Sequence, residues 1–292
     1  MEEGAEGLQD EHLGDRPVPR RSRIALMFSW VAVVLVLIFT RLLGSYGQAY
    51  CREFSWDDPT IGRGHIPSAF PDWMLIPVGL VPVLSASWII YMVPVFPGSW
   101  MWEIHECVLT IGIAFAICRS VVDPGKLYAG RLRPDFLYRL NHAGYNATYP
   151  DPAATDYCAI HTHSIESGRH SFPSGHSAVS FCAMSLTALF LMNRLRALAQ
   201  HEYRAIIFAF SVAPLTFAFV VSISRTRTNH HHFTDIVAGA IIGLLSAVIA
   251  FKLQYSFAKA RECFIPTTFL RGDIPDIGTG GDDSDDELVK VG

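Results

Sequence analysis

Apolar residues in this chain run in six near-continuous blocks of about twenty, separated by polar, aromatic and proline-rich stretches. A helix rises about 1.5 Å per residue, so such a block crosses a hydrocarbon core of about 30 Å, and it satisfies its backbone polar groups within the segment. The pattern predicts transmembrane helices over 24–43, 73–96, 102–122, 172–192, 205–223 and 235–255. The third block is the most polar, with Glu103, His105 and Glu106 at its start and Arg119 at its end. At the two interfaces such side chains reach water along their stems, and this is where the pattern puts them. Pro77, Pro82 and Pro214 fall inside blocks and predict kinks. The expected fold is an all-α integral membrane bundle of six helices, with no internal repeat. The chain divides into a polar tail (1–22), a membrane domain (23–256) and an acidic tail (257–292).

Charge sets the expected topology. Arg16, Arg20, Arg21 and Arg23 precede the first block and place the N-terminus in the cytosol. Six crossings return the C-terminus there, and Arg194, Arg196 and Arg204 mark the fourth loop as cytosolic. The third and fifth loops then face the lumen or exterior, where Asn146-Ala147-Thr148 in the third loop is an N-glycosylation sequon. The first block begins too late and runs too long to be a cleavable leader. The run Asp282–Glu287 reads as a solvated acidic tail, and Ser284 within it has the surroundings an acid-directed kinase reads.

Composition narrows the chemistry. Half of the residues are apolar, and a net charge of −4 with no long basic run argues against a nucleic-acid partner. Six cysteines stand at 51, 107, 118, 158, 182 and 263 without a CxxC pair, so a structural zinc site is not expected. Cys107, Cys118 and Cys182 lie in apolar blocks and read as packing residues. Cys51 and Cys158 fall in loops on the non-cytosolic side, which allows a disulfide between them.

Three short segments at the edges of the blocks carry the candidate chemistry: KLYAGRLRP at 126–134, PSGH at 173–176 and SRTRTNHHHFTD at 224–235. A phosphate monoester carries nearly two negative charges, and phosphoryl transfer needs its equatorial oxygens held, an in-line nucleophile and a proton for the leaving oxygen. Lys126, Arg133 and Arg225 supply fixed positive charge, and the guanidinium fork matches two oxygens at once. Ser174 suits an N-cap, and Gly175 lets the backbone approach an anion at the start of a helix. The sixth block opens the same way at His231–Asp235, so two helix N-termini are expected to converge on one anion. His231 and Asp235 are four apart and share a helical face. Asp235 is expected to accept Nδ1–H of His231, leaving Nε2 to attack, with His176 as the acid that protonates the leaving oxygen. His230 and His232 flank the nucleophile, but their spacing to Asp235 suits the role less well. Arg131 and Arg227 read as solvated loop charges, and His161, His163 and His170 as structural. The loop over 135–171, with Phe136, Tyr138, Tyr145 and Tyr149, is long enough to cap the site or shape headgroup choice.

The spacing of these three segments resembles the type 2 phosphatidic acid phosphatase (PAP2) superfamily, and within it the lipid phosphate phosphatases. GRLRPDF at 130–136 and HHFTD at 231–235 are most similar to the fungal diacylglycerol pyrophosphate and lipid phosphate phosphatases. The resemblance covers roughly residues 24–256. It implies the PAP2/haloperoxidase six-helix bundle and a metal-independent hydrolase, needing neither magnesium nor another cofactor. Its substrates would be phosphatidate, lysophosphatidate and diacylglycerol pyrophosphate, cleaved through a phosphohistidine on His231 at the lumenal or extracellular face. Catalytic His231, His176 and Asp235 and phosphate-binding Lys126, Arg133, Ser174, Gly175 and Arg225 all match the motif positions. The partner implied is a membrane lipid phosphate, and nothing in the sequence indicates an oligomer. The related fungal enzymes tend to carry a cysteine early in the third loop; Leu140 stands near that place here, so that loop disulfide is not expected. Other readings are a phosphotransferase of the same superfamily, a non-catalytic membrane relative, and a metal site built from His230, His231, His232 and Asp235. Consecutive helical histidines diverge by about 100° each, which suits one metal poorly. Vanadate, which mimics five-coordinate phosphorus, is expected to inhibit.

Overall fold

The computed structural model describes residues 20–92, 100–148, 155–198 and 203–255. Tail residues before 20 and after 255, including Arg16 and Ser284, lie outside the described residues, as does Tyr149. The architecture is all-helical: α1 (Arg20–Tyr46), α2 (Leu75–Met92), α3 (Trp100–Ala129), α4 (Phe136–His142), α5 (His163–Gly168), α6 (Gly175–Leu198), α7 (Arg204–Val212), α8 (Pro214–Arg227) and α9 (Phe233–Gln254). Six spans among these are long and apolar enough to cross a membrane, the α7–α8 pair counting as one.

Two boundaries depart from the hydropathy pattern for physical reasons. The third span was expected to end at 122, but α3 continues through Pro124 to Ala129. Apolar periodicity marks where lipid ends, whereas the helix runs on, supported by the Arg119–Asp123 ion pair at 2.8 Å. Lys126 therefore rides on the last turn of a helix and not in a loop. In the fifth span Pro214 breaks the helix outright: α7 stops at Val212 and α8 starts with Pro214 in its first turn, where its missing N–H costs no helical bond.

α6 is the centre of the bundle, with α2, α3, α8 and α9 packed around it. Its buried Ala178, Cys182, Leu186 and Phe190 meet Cys118 and Val122 of α3 and Ala247 and Phe251 of α9. The α6–α9 crossing is close because Gly239 and Gly243 face α6. A Cβ there would lie 2.5 Å from the Ser174 carbonyl oxygen and 2.2 Å from that of Ala178. Small residues spaced by four let membrane helices approach backbone to backbone. The outer faces carry exposed Met27, Phe28, Leu35, Phe39, Trp88, Phe208, Phe210 and Leu253, as lipid-facing surfaces require.

Over the end of the bundle that bears the motifs, the loop after α1 and the α4–α5 segment build a second, smaller core from Ile61, Phe136, Leu137, Leu140 and Ile165. The Cys51–Cys158 disulfide ties the two segments together, as the sequence allowed. Arg169 is buried beneath it, its guanidinium 5.4 Å from the Phe136 ring centroid and donating to the Tyr157 carbonyl at 2.7 Å. Leu140 is a core residue of this cap.

The opposite end corrects one expectation. Glu103 and Glu106 do not reach out to an interface; each is 2% exposed. Glu103 is ion-paired with Arg194 of α6, and His105 accepts a hydrogen bond from Trp30 Nε1 at 2.8 Å. The packing of α1 and α6 on α3 encloses this end, and a buried charge persists where a partner meets it.

Candidate active site

The three motifs, spread over about a hundred residues of sequence, meet where α3, α8 and the starts of α6 and α9 come together. Lys126 stands on the last turn of α3, and its Nζ approaches Gly175 so closely that a Cβ there would lie 3.2 Å away. The chain then turns at Gly130, whose φ of 52° belongs to the left-handed region and where a Cβ would meet the Tyr50 carbonyl oxygen at 1.8 Å. That turn delivers Arg133, whose backbone N–H donates to the Gly168 carbonyl at 2.8 Å. Arg133 Nε is buried and makes no hydrogen bond among the described residues. Burial, followed by the neighbouring Arg139 guanidinium, pushes Arg133 down to about 10. Arg225, on the last turn of α8, donates through Nη1 to Ser68 Oγ and to the Phe70 carbonyl at 2.9 Å, so the loop after α1 braces it. None of Lys126, Arg133 and Arg225 has a carboxylate ion-pair partner among the described residues.

α6 and α9 begin side by side. The Ser174 N–H donates to the Asp235 carbonyl at 3.0 Å, and Ser177 Oγ donates to the Ile236 carbonyl at 2.8 Å. Ser174 precedes the first residue of α6, and its Oγ lies 3.5 Å from the Ser177 N–H, a long cap. The convergence of two helix N-termini expected from the sequence is thus present, with the amides of Gly175 and His176 opening α6.

Of the three consecutive histidines, His231 is 3% exposed. Its N–H donates to the Arg225 carbonyl at 3.3 Å, which couples the end of α8 to the loop that carries it. Its Nδ1 lies 2.7 Å from the Ser171 carbonyl oxygen, so Nδ1 carries the proton and Nε2 keeps its lone pair. Burial, then the charges of Arg133, Lys126 and Arg225, hold His231 well below the usual histidine range, so its imidazole is neutral at pH 7.

The carboxylate expected on His231 Nδ1 is not there: Asp235 Oδ2 stands 3.9 Å away. Asp235 lies in the first turn of α9 and folds back to accept the His232 N–H at 2.9 Å. It also accepts Ser171 Oγ at 2.6 Å and Arg131 Nη1 at 2.6 Å. Its hold on His231 therefore passes through Ser171, whose hydroxyl binds the carboxylate and whose carbonyl binds the imidazole. Sequence reasoning missed Ser171, because a backbone carbonyl leaves no residue-type signal. Arg131, expected as a solvated charge, is instead the ion-pair partner of Asp235.

His230 turns the other way, its Nδ1 2.9 Å from the Thr228 carbonyl, after Asn229 has taken a φ of 57°. His232 caps α9, with Nε2 3.1 Å from the Leu132 carbonyl. The metal set of His230, His231, His232 and Asp235 is thus not assembled. Among the described residues the ligand atoms that do cluster, within 4.8 Å, belong to His65, Asp135 and His230. Arg139 already bonds both Asp135 oxygens at 2.9 Å, and the Arg133 and Arg225 charges reach His230. That surrounding field repels a cation.

His176 is 5% exposed, in the first turn of α6. Its Nε2 faces the carboxylate of Asp72 at 3.5 Å, from the 3₁₀ turn Asp72–Met74 that leads into α2. Asp72 belongs to no motif and stands in sequence only as the residue before the second apolar block. His170 also sits beside the cations: burial, then Lys126 and Arg133, push it down to about 4. Asn146 is exposed, with Oδ1 accepting the Thr148 N–H and hydroxyl at 2.9 Å.

Residues 107–259 match the family profile described as the PAP2 superfamily. A PA-phosphatase related-family protein of Dictyostelium discoideum is 30% identical over 203 residues, covering 69% of this chain and 66% of the relative. Probable lipid phosphate phosphatase 4 of Arabidopsis thaliana is 27% identical over 198 residues, covering 67% and 64%. Lipid phosphate phosphatase 2 of the same plant is 28% identical over 230 residues, covering 78% and 77%. The chain thus spans slightly under two thirds of the length of the first two relatives. No solved structure matches the chain significantly.

Proposed function

The chain belongs to the PAP2 superfamily, and from that premise we propose that it is a lipid phosphate phosphatase acting on phosphatidate, lysophosphatidate and diacylglycerol pyrophosphate at the membrane surface. The observation that carries this reading is the neutral His231, held at Nδ1 by Ser171 and set among Lys126, Arg133 and Arg225. Three cations without a carboxylate ion-pair partner among the described residues suit a ligand with nearly two negative charges and three oxygens to hold. The curated relatives named lipid phosphate phosphatases point to the same substrate class.

Nε2 of His231 attacks phosphorus in line with the lipid oxygen. An N–P bond forms, the P–O bond to the lipid breaks, and His176 gives its proton to the departing oxygen. Water then attacks the phosphohistidine while His176 takes a proton from it, and inorganic phosphate leaves. Lys126, Arg133, Arg225 and the amides at Gly175 and His176 hold the equatorial oxygens throughout, so the charge a divalent metal would supply is already in place. The Cys51–Cys158 disulfide supports a site on the lumenal or extracellular face, since such bonds persist in oxidising compartments. On that face the exposed Asn146 is a glycan acceptor, and both termini are cytosolic.

The test is phosphate release by purified protein in mixed micelles containing chelator, across a panel of lipid phosphates. Release that persists in chelator and is blocked by vanadate supports the reading. Dependence on added divalent metal overturns it, and a phosphodiester product in place of free phosphate would make the chain a transferase.

A further inference from the structure

The Cys51–Cys158 disulfide lies against a buried cation. Arg169 is 2% exposed. Its Nη1 donates to Cys51 Sγ at 3.0 Å, and its Nη2 donates to the carbonyl of Tyr157, the residue before Cys158. Its Nε makes no hydrogen bond among the described residues. The negative charges that reach it are Glu166 and Asp156, and both are engaged elsewhere. Glu166 pairs with His161 at 2.7 Å, and Asp156 accepts the Cys158 N–H at 2.9 Å. A disulfide sulfur is a neutral, weak acceptor, whereas a thiolate is a full counter-ion. The guanidinium therefore gains a partner when the bridge opens, and it favours the thiolate at Cys51. The bridge also joins the two sides of the candidate site. Beside Cys51, the Tyr50 N–H donates to the Leu127 carbonyl at 2.7 Å and Arg52 Nε to the Ala129 carbonyl at 2.6 Å, which holds the end of α3 that carries Lys126. On the other side, Arg169 stands two residues before Ser171, whose carbonyl holds His231 Nδ1 at 2.7 Å.

We propose that Cys51–Cys158 is a reversible redox switch on this site, opened by a dithiol reductant, with Arg169 stabilising Cys51 as the leaving thiolate. The proposal rests on the phosphatase reading above and adds to it a means of control. Cys158 is exposed and Cys51 half-buried, so the reductant's thiolate attacks Cys158 Sγ. A mixed disulfide forms there, the Cys51–Cys158 bond breaks, and its electron pair leaves on Cys51 Sγ beside Arg169. The reductant's second thiolate then displaces Cys158, which takes a proton from water. The protein has gained two electrons, and the reductant leaves as its own disulfide. Once open, the loop after α1 and the segment leading to α6 are no longer joined. Arg169 follows the thiolate it neutralises, and the Ser171 carbonyl loses its fixed place at His231. Arg169 touches neither substrate nor the reacting phosphorus and is a positioning residue.

Two measurements on the full-length protein in detergent test this. In Cys158→Ser, alkylation of Cys51 by iodoacetamide is followed on its peptide by mass spectrometry across pH. The profile is expected to lie at least about one pH unit to the acid side of that of the same thiol in the unfolded protein. Arg169→Met in that background should move the profile back. An unshifted profile in Cys158→Ser overturns the proposal whether or not the Arg169 variant folds. In the second measurement, wild type is opened with dithiothreitol and assayed for phosphate release from phosphatidate. kcat is expected to fall about tenfold as the bridge opens and to return on reoxidation. The Cys51→Ser, Cys158→Ser double variant should stay at the reduced level whether or not dithiothreitol is present. A loss of less than about twofold on complete opening overturns the switch. So does unfolding of the reduced protein at the assay temperature, which would make the bridge a staple only. The alkylation profile needs no substrate and so separates the two levels. If oxidised wild type releases phosphate from no lipid phosphate, the phosphatase reading fails while the Cys51 chemistry still stands or falls on its own profile.

Discussion

At one end of the bundle Arg194 lies buried against Glu103, and His105 takes a hydrogen bond from Trp30. At the other, Lys126, Arg133 and Arg225 crowd around two imidazoles with no carboxylate among the described residues ion-paired to any of the three. The acids that do come near are committed elsewhere, Asp135 to Arg139 and Asp235 to Arg131. A chain selected for stability alone would pair those cations or replace them with apolar groups. The contrast separates charge that fastens helices together from charge kept in readiness for a ligand. The two ends should therefore respond oppositely to substitution.

The largest expected effect is at His231. Replacing it with Ala removes the only nucleophile in the proposed reaction and should lower kcat by at least about 10⁴-fold on every lipid phosphate, with the thermal midpoint little changed. Phosphate release measured beside a detergent unfolding curve checks both halves. Turnover within tenfold of wild type would erase the distinction between the two ends.

Arg194→Ala should give the mirror image. Removing one partner of a buried pair strands the other, and the cost is about 3–5 kcal/mol of stability. The folded fraction should keep kcat within about twofold, because Arg194 and the motif-bearing loops lie at opposite ends of α6. Loss of kcat without loss of stability would show that the two ends are coupled.

Asp235→Asn should fall between these extremes. The carboxylate reaches the nucleophile through Ser171 at one remove, so a loss of about 10²-fold in kcat is expected, below that at His231. Asp235 also caps α9 and pairs with Arg131, so some stability should go as well. Ser171→Ala, which keeps the carbonyl and cuts only its tether, should cost about three- to tenfold. If Asp235→Asn equals His231→Ala in effect while Ser171→Ala has none, the carboxylate bonds Nδ1 directly during turnover.

The spans and the site were legible in the sequence to different depths. Twenty-residue apolar blocks give the helices because lipid leaves no other choice, but they mark the edges of lipid rather than of helix, which is why α3 runs on to Ala129 and carries Lys126 with it. The charged members of the candidate site were legible because the proposed phosphoryl transfer demands those residue types. The connections among them were not. Ser171 acts through a carbonyl that any residue would supply, Asp72 comes from a turn with no motif, and Arg131 looks the same in sequence whether solvated or paired. Glu103 and Arg194, 91 positions apart, show how a pair that is plain in three dimensions leaves two isolated charges in one.

The smallest effect concerns acid. Burial, followed by the charges of nearby cations, pushes both His170 and His230 down to about 4. An unfolded chain protonates these groups near their ordinary value of 6.5, so between pH 6.5 and 4 the unfolded state binds more protons than the native one. Stability is then fully present above about pH 6.5 and falls as pH drops through that window, by about 1 kcal/mol per group after solvent screening. The thermal midpoint in detergent should drop by a few degrees between pH 7.5 and pH 5. His230→Gln, which cannot take up that proton, should recover part of the drop, the rest staying with His170 and the likewise depressed His231. Bound vanadate should shrink it too, since an anion among Lys126, Arg133 and Arg225 offsets the repulsion that keeps these imidazoles neutral. A midpoint that does not move with pH would mean that the catalytic end is as electrostatically settled as the end where Arg194 meets Glu103, and the contrast between them would be one of placement alone.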